Sequence, residues 1–168
     1  MKKTSCSRFF RHLFSGPWRA GRHFSTTALQ HIAEEIRLSE LTHTGEIRFA
    51  VEASLHPFTI LAGKTPRARA LELFSTLNVW DTEHNNGILV YLLLADRDVE
   101  IVADRGIHQK VDAHTWEAIC REMEAAFRRG EFESGTLMGI RQLGKVLQRY
   151  FPADGTNNNE LPDAPLLL

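Results

Sequence analysis

The residues best suited to chemistry lie in two short segments, Asp81-Thr82-Glu83-His84-Asn85-Asn86-Gly87 and Asp104-Arg105-Gly106. The first crowds oxygen-bearing side chains into seven residues, the donor type that hard divalent cations take. It is not an EF-hand loop, because its sixth position is Asn86 where that loop needs Gly, and its twelfth is Leu92 where it needs Glu. Asn and Gly also end helices and accept positive φ without any ligand, so turn chemistry accounts for the same residues. The second segment offers a carboxylate and a guanidinium, which could hold a metal or an anion, or form an exposed ion pair beside a glycine turn. Arg48 and Glu52 add two charges to a strand otherwise built for burial. Either they pair with each other, or Glu52 joins Asp104 and the Asp81 loop at one sheet edge.

Other chemistries are excluded by their missing parts. Asp96-Arg97-Asp98 begins like the nucleophile signature of haloacid dehalogenases, but its fifth position is Glu100 and the following residues read as a strand, so a hairpin turn explains it. Arg11-His12 runs into Leu13, and Cys120-Arg121 has no phosphate-cradling loop after it. There is no glycine-rich nucleotide loop, so no organic cofactor is expected. Cys6 and Cys120 match neither a disulfide framework nor a zinc spacing, and the eight histidines show no paired spacing on a helix face.

The elements that must position these residues are read from periodicity. Thr27 and Gln30 fit a capping box for a helix carrying Leu29, Ile32, Ala33 and Ile36, closed by Gly45. Residues 46–54 alternate as a strand, with Ile47, Phe49, Val51 and Ala53 on one face and Glu46, Arg48, Ala50 and Glu52 on the other. Thr65 and Pro66 start a second helix, and residues 88–95 form an unbroken apolar run, the mark of a central strand. The turn at Asp96 returns the chain as an antiparallel strand over residues 99–103, while the strand, helix, strand order before it requires a parallel crossover. Two more helices carry Trp116, Ile119, Met123 and Phe127, then Leu137, Ile140, Leu147 and Phe151, with Pro152 as the stop. The result is an α/β fold, a three-layer α/β/α sandwich around a mixed sheet.

A chain of 168 residues with net charge -1 has room for one domain and no global field to draw nucleic acid. The charge is uneven: residues 1–33 hold six Lys or Arg and no acid, and residues 153–168 hold three acids and no base. We divide the chain into a basic flexible leader (1–26), the α/β domain (27–152) and an acidic, disordered tail (153–168), of which residues 166–168 could still dock. Phe9, Phe10, Leu13, Phe14 and Trp18 give the leader the look of a transit peptide or a membrane-surface helix, which Gly16-Pro17 interrupts. No run is long enough for a transmembrane helix and no secretory signal is present, so the expected location is cytoplasmic, with the inner face of the membrane as an option.

The segments GEIRFAVEASL, NNGILVYLLLADRDVEIVADRGI and FRRGEFESGTLMGIRQL, in this order, resemble the TPM domain family over residues 28–150. The resemblance implies an α/β/α sandwich with a divalent-cation site in loops at one sheet edge, carried onto Asp81, Asn85, Asn86 and Asp104. It implies Ca²⁺ or Mg²⁺ as the cation, and a membrane-anchored TPM or LemA-type protein as partner. Many members have Asp where this chain has Asn85, which removes one formal charge from the site and weakens its pull on a cation. Phosphatase activity belongs to part of the family. The resemblance therefore implies an accessory protein, or a metal-assisted phosphatase in which Arg105 neutralises phosphoryl oxygens.

Overall fold

The computed structural model describes residues 5–16, 18–155 and 159–168. Lys2, Lys3, Pro17, residues 156–158 of the tail and the side chains of Cys6 and Arg19 lie outside the described residues. The elements are α1 (Ser5–Leu13), α2 (Trp18–His23), α3 (Thr26–Glu40), β1 (Ile47–Glu52), α4 (Pro57–Leu61), α5 (Pro66–Thr76), β2 (Ile88–Leu93), β3 (Asp98–Ala103), α6 (Arg105–His108), α7 (Ala113–Arg128), α8 (Phe132–Tyr150) and β4 (Leu166–Leu167). The sheet order is β3-β2-β1-β4. β1 runs parallel to β2 and to β4, and β2 pairs antiparallel with β3.

Strand alternation decides which helix covers which face. Ile47, Phe49 and Val51 of β1, with Ile88, Val90 and Leu92 of β2, form one core with Ile36 of α3, Met123 and Phe127 of α7 and Ile140 and Leu143 of α8. Ala50, Leu89, Tyr91 and Leu93 point the other way and pack with Ala70 and Leu73 of α5, Ile60 of α4 and Leu161 of the tail. β2 is buried at every position because it is covered on both faces.

Helix boundaries differ from the sequence reading at α3. Its cap is Ser25, which accepts from the Ala28 N–H at 3.1 Å, and not Thr27. Phe24 before the cap and Leu29 behind it share the main core, at the spacing of a hydrophobic staple, and this fixes the start two residues early. The helix ends at Glu40 with Leu41 as C-cap, so Gly45 does not close it. Thr65 caps α5 through the Ala68 N–H, and Pro66 opens it, as its sequence demands.

The two ends of the chain depart further from expectation. The stretch read as a flexible leader contains α1, α2 and the start of α3, with Ala20 and Phe24 buried. Asp96 in the β2–β3 turn receives Arg8 Nε at 2.8 Å, Arg11 at 3.0 Å and His12 Nε2 at 3.1 Å. His12 Nδ1 accepts from the Leu55 N–H at 2.9 Å, which leaves the ring proton on Nε2 facing Asp96. Burial pushes the Asp96 carboxyl up, but hydrogen bonds from His12 and Arg8 outweigh it and hold the group below its ordinary value.

The tail read as disordered folds back along β1. Leu161 is buried, and its N–H donates to Glu46 Oε2 at 3.0 Å. Arg48 donates to the carbonyls of Pro162 and Ala164, and the Leu168 N–H donates to Val51 O at 2.8 Å. The free edge of the sheet, β3, is blunted: Glu124 accepts from the Val99 N–H at 3.3 Å and Arg67 donates to Ile101 O at 2.6 Å. Burial raises the Cys120 thiol to about 12, and its sulfur takes the Ile101 N–H.

Burial at the tail contact, with the nearby Glu46 charge, raises the Glu40 carboxyl to about 9. His43, held down to about 4 by burial, ceases to bind a proton in the unfolded chain above its ordinary 6.5. From there to about pH 8, the native state carries a Glu40 proton that the unfolded state lacks, so stability falls as pH rises, by about 1.4 kcal/mol per pH unit for one proton. Glu40→Gln keeps an acceptor for the Ile47 N–H, and urea unfolding across this window should give a flatter pH dependence than the parent chain. Equal slopes in the two proteins would show that Glu40 does not carry the proton.

Candidate functional site

The strand register builds one sheet edge from three loops. Ile47 pairs with Ile88 and Ile88 with Ala103, so residues 44–46, 84–87 and 104–106 meet there. The Asp104 N–H donates to Gly87 O at 2.9 Å, and the Gly106 N–H donates to Asn85 O at 2.9 Å. Both glycines are required by close approach: a Cβ on Gly87 would lie 2.1 Å from Val79 O, and one on Gly106 would lie 2.5 Å from Asn85 O.

The four sequence candidates in this edge have different duties. Asn85 sits at φ 51°, the left-handed region that Asn tolerates, and its Oδ1 accepts from Arg105 Nε at 3.1 Å. Asn86 is fully buried. Its Nδ2 donates to Thr44 O at 3.0 Å and to Thr44 Oγ1 at 3.3 Å, while Thr82 Oγ1 donates to its Oδ1 at 3.4 Å. Asn86 therefore pins the loop to the chain entering β1. Asp104 is the N-cap of α6: its Oδ1 accepts from the Arg105 N–H at 2.7 Å, and its Oδ2 is buried with no hydrogen-bond partner among the described residues. A carboxylate oxygen in that position lacks a cation or donor. Asp81 begins the same loop and is exposed.

Glu52 is not part of this edge. Parallel pairing matches it with Leu93, at the far end of β1, about 16 Å along the strand at ~3.3 Å per residue. There it accepts from Arg69 Nε at 2.9 Å and from the Tyr91 hydroxyl at 2.7 Å. The alternative Arg48–Glu52 pair is also absent, since Arg48 turns to the tail carbonyls. Ala50 lies between them on that face, which puts their Cα atoms about 13 Å apart at ~3.3 Å per residue, and each charge finds a nearer partner, Arg48 on the tail and Glu52 on Arg69 and Tyr91.

Sequence reasoning missed Thr44, Thr82 and His43. His43 is fully buried, donates from Nδ1 to Gly45 O at 3.0 Å and lies 2.9 Å from Ser39 Oγ through Nε2. This has the order of a nucleophile and base, but α8 closes over it: a Cβ on Gly144 would lie 2.1 Å from Ser39 Oγ. The pair is a structural lock on the turn before β1. The only sequence signal for it is the four-residue spacing of Ser39 and His43 at a helix end. Among the described residues, no three His, Cys, Asp or Glu side chains converge as a metal centre.

Residues 21–146 match the TPM domain family model. The chain belongs to the TPM domain family. The match begins within α2 and takes in all of α3, so the family domain reaches closer to the N-terminus than the periodicity of residues 27–40 suggests. The chain is similar to the BA42 protein of the psychrophilic bacterium Bizionia argentinensis, solved by NMR, with 27% identity and a TM-score of 0.76. That likeness covers 85% of this chain and 94% of BA42. No curated protein matches the chain. In this TPM domain, α1, its contacts to Asp96, and the tail along β1 lie outside or across the limits of the family match.

Asn86→Ala removes three side-chain hydrogen bonds and leaves Thr44 O and Thr82 Oγ1 short of partners in the interior. The expected loss is about 2–3 kcal/mol in urea unfolding, with amide shifts at Thr44 and Thr82. A loss within experimental error of zero would mean that Asn86 does not hold the loop.

Proposed function

We propose that this TPM protein is an accessory factor that binds a divalent cation at the edge formed by residues 81–87 and 104–106. The reading is carried by Asp104 Oδ2, a buried carboxylate oxygen without a protein partner among the described residues. Oxygen donors of this kind suit Ca²⁺ or Mg²⁺. Asp104 and Asp81 would hold the ion, and Asn85 Oδ1 would join them by exchanging its bond from Arg105. Asn86 contributes by fixing the loop, because its amide is committed to Thr44 and Thr82. Two carboxylates beside a guanidinium give weak binding, with a Kd on the order of 10⁻⁴–10⁻³ M. The proposed setting is the cytoplasmic side of a membrane, with a membrane-anchored TPM or LemA-type protein as partner. Its support is the acid-free basic N-terminal segment; among the described residues no helix is long and apolar enough to cross a membrane.

Asp104→Asn discriminates well, because Asn caps α6 as readily as Asp and only the charge is lost. Titrating Ca²⁺ and Mg²⁺ into the parent chain should shift backbone NMR signals at Asp81, Asn86 and Asp104, and the variant should show no such shifts. Identical titrations in both proteins would remove Asp104 from the site, and silence in the parent would remove the site.

One observation favours a second reading, a metal-assisted phosphatase. Arg105 is exposed and tethered through Asn85 next to Asp104, where a phosphate ester would meet a guanidinium. A bound cation would add charge neutralisation, and Arg105 would stabilise the phosphoryl oxygens as charge builds on them. On this reading, Asp104→Asn and Arg105→Ala each cost orders of magnitude in phosphate-ester hydrolysis. Hydrolysis that is absent, or unchanged by both substitutions, favours the accessory role.

A further inference from the structure

We infer that the face formed by α1, the turn after it and α4 is a docking surface for an anionic lipid bilayer. α1 turns most of its charges inward and, apart from Phe9 packed against the second core, most of its large apolar residues outward. Arg8, Arg11 and His12, at helical spacing, turn inward to Asp96. Phe10 and Leu13, on the opposite side, are left about half exposed, and Phe14 is 72% exposed. The inward charges hold the helix so that its aromatic side faces out.

The exposed side chains continue beyond α1. Trp18 is 62% exposed and rests on Gly16, where a Cβ would lie 2.8 Å from the indole. α4, packed beside α1, adds Phe58 at 74% and Leu61 at 62%. Scattered exposed apolar residues need no explanation, but six large ones on α1, the turn after it, the start of α2 and α4 mark a surface that is covered in use.

Charge selects the occupant. Residues 1–33 carry six Lys or Arg and no Asp or Glu, and among the described residues Asp96 pairs with Arg8 and Arg11 of these. Arg22 is exposed on α2, close in sequence to Trp18. Phe, Trp and Leu in a segment that carries bases and no acids is the chemistry of a helix lying in the interface of an anionic membrane. The inference deepens the peripheral location proposed above and rests on that reading for its setting, but not on the cation loop. Asp96 and α4 follow the C-terminal ends of β2 and β1, so the surface lies at the sheet end opposite Asp104.

The test is sedimentation of the full chain with phosphatidylcholine vesicles, with and without phosphatidylglycerol, beside the variant Phe14→Ser/Phe58→Ser. Binding should need phosphatidylglycerol, weaken with added salt, and fall at least about tenfold in the variant. Both substituted positions are exposed, so the variant's melting curve should match the parent's. No binding to either vesicle, or equal binding by the variant, overturns the inference. Binding only to native membranes that keep their proteins overturns it while leaving the partner-based location standing. Concentration-dependent self-association lost in the variant would assign the surface to a second copy of the chain and overturn it too.

Discussion

The rest of the structure depends on how β1 disposes of its charges. One face of the strand is Ile47, Phe49 and Val51, and it packs as a core strand should. The other face is Arg48, Ala50 and Glu52, preceded by Glu46, and it is covered nonetheless. A buried charge without partners costs several kcal/mol, so each of these residues must recruit a donor or an acceptor. Glu52 recruits Arg69 of α5 and the Tyr91 hydroxyl, which fixes the helix layer over the sheet. Glu46 and Arg48 recruit the backbone of the tail, and β4 forms as the tail continues along the strand. The C-terminal segment is thus folded by charges on the strand it covers, together with Leu161 and Leu166, which pack into the second core.

The same sheet keeps the proposed cation edge and the proposed docking surface at opposite ends. The start of β1 and β2 and the end of β3 gather the polar loops, where backbone contacts at Gly87 and Gly106 bring Asn85, Asp104 and Arg105 together. The opposite end carries the β2–β3 turn, and Asp96 there anchors α1 by charge, alongside Phe9 packed against the second core. The arrangement lets one domain present an oxygen-rich edge and an aromatic surface in opposite directions. Neither has to be remodelled for the other to be used.

Much of this was legible in the sequence because it is local. The alternation of residues 46–53, the apolar run of residues 88–95, the Thr65-Pro66 helix start and the stripes of α7 and α8 all follow from spacing within a few residues. The edge grouping of Asn85, Asn86, Asp104 and Arg105 was legible too, since a hairpin fixes where its ends lie. What escaped was set by distant partners. The sequence marks Arg8 as a base in a mobile leader, but its acceptor is 88 positions away. Arg48 and Pro162 are separated by 114 positions, and in an Asn- and Pro-rich tail only the closing residues 166–168 hint at docking, without naming the strand that holds them. Glu52 was misplaced although the parallel pairing sets the loop before β2 against the start of β1, the end opposite Glu52. Asn86 reads equally as ligand or lock, and only the positions of Thr44 and Thr82 distinguish the two.

The claim that β1's charges fold the tail is tested most directly by amide hydrogen exchange on the full chain. The Leu161 N–H on Glu46 and the Leu168 N–H on Val51 O should exchange slowly, within reach of the β2 interior amides, because opening either exposes a buried charge or a strand edge. Exchange of both at the rate of an unstructured peptide would contradict the account: the tail would then be free, and the charges of β1 would have to be satisfied in some other way.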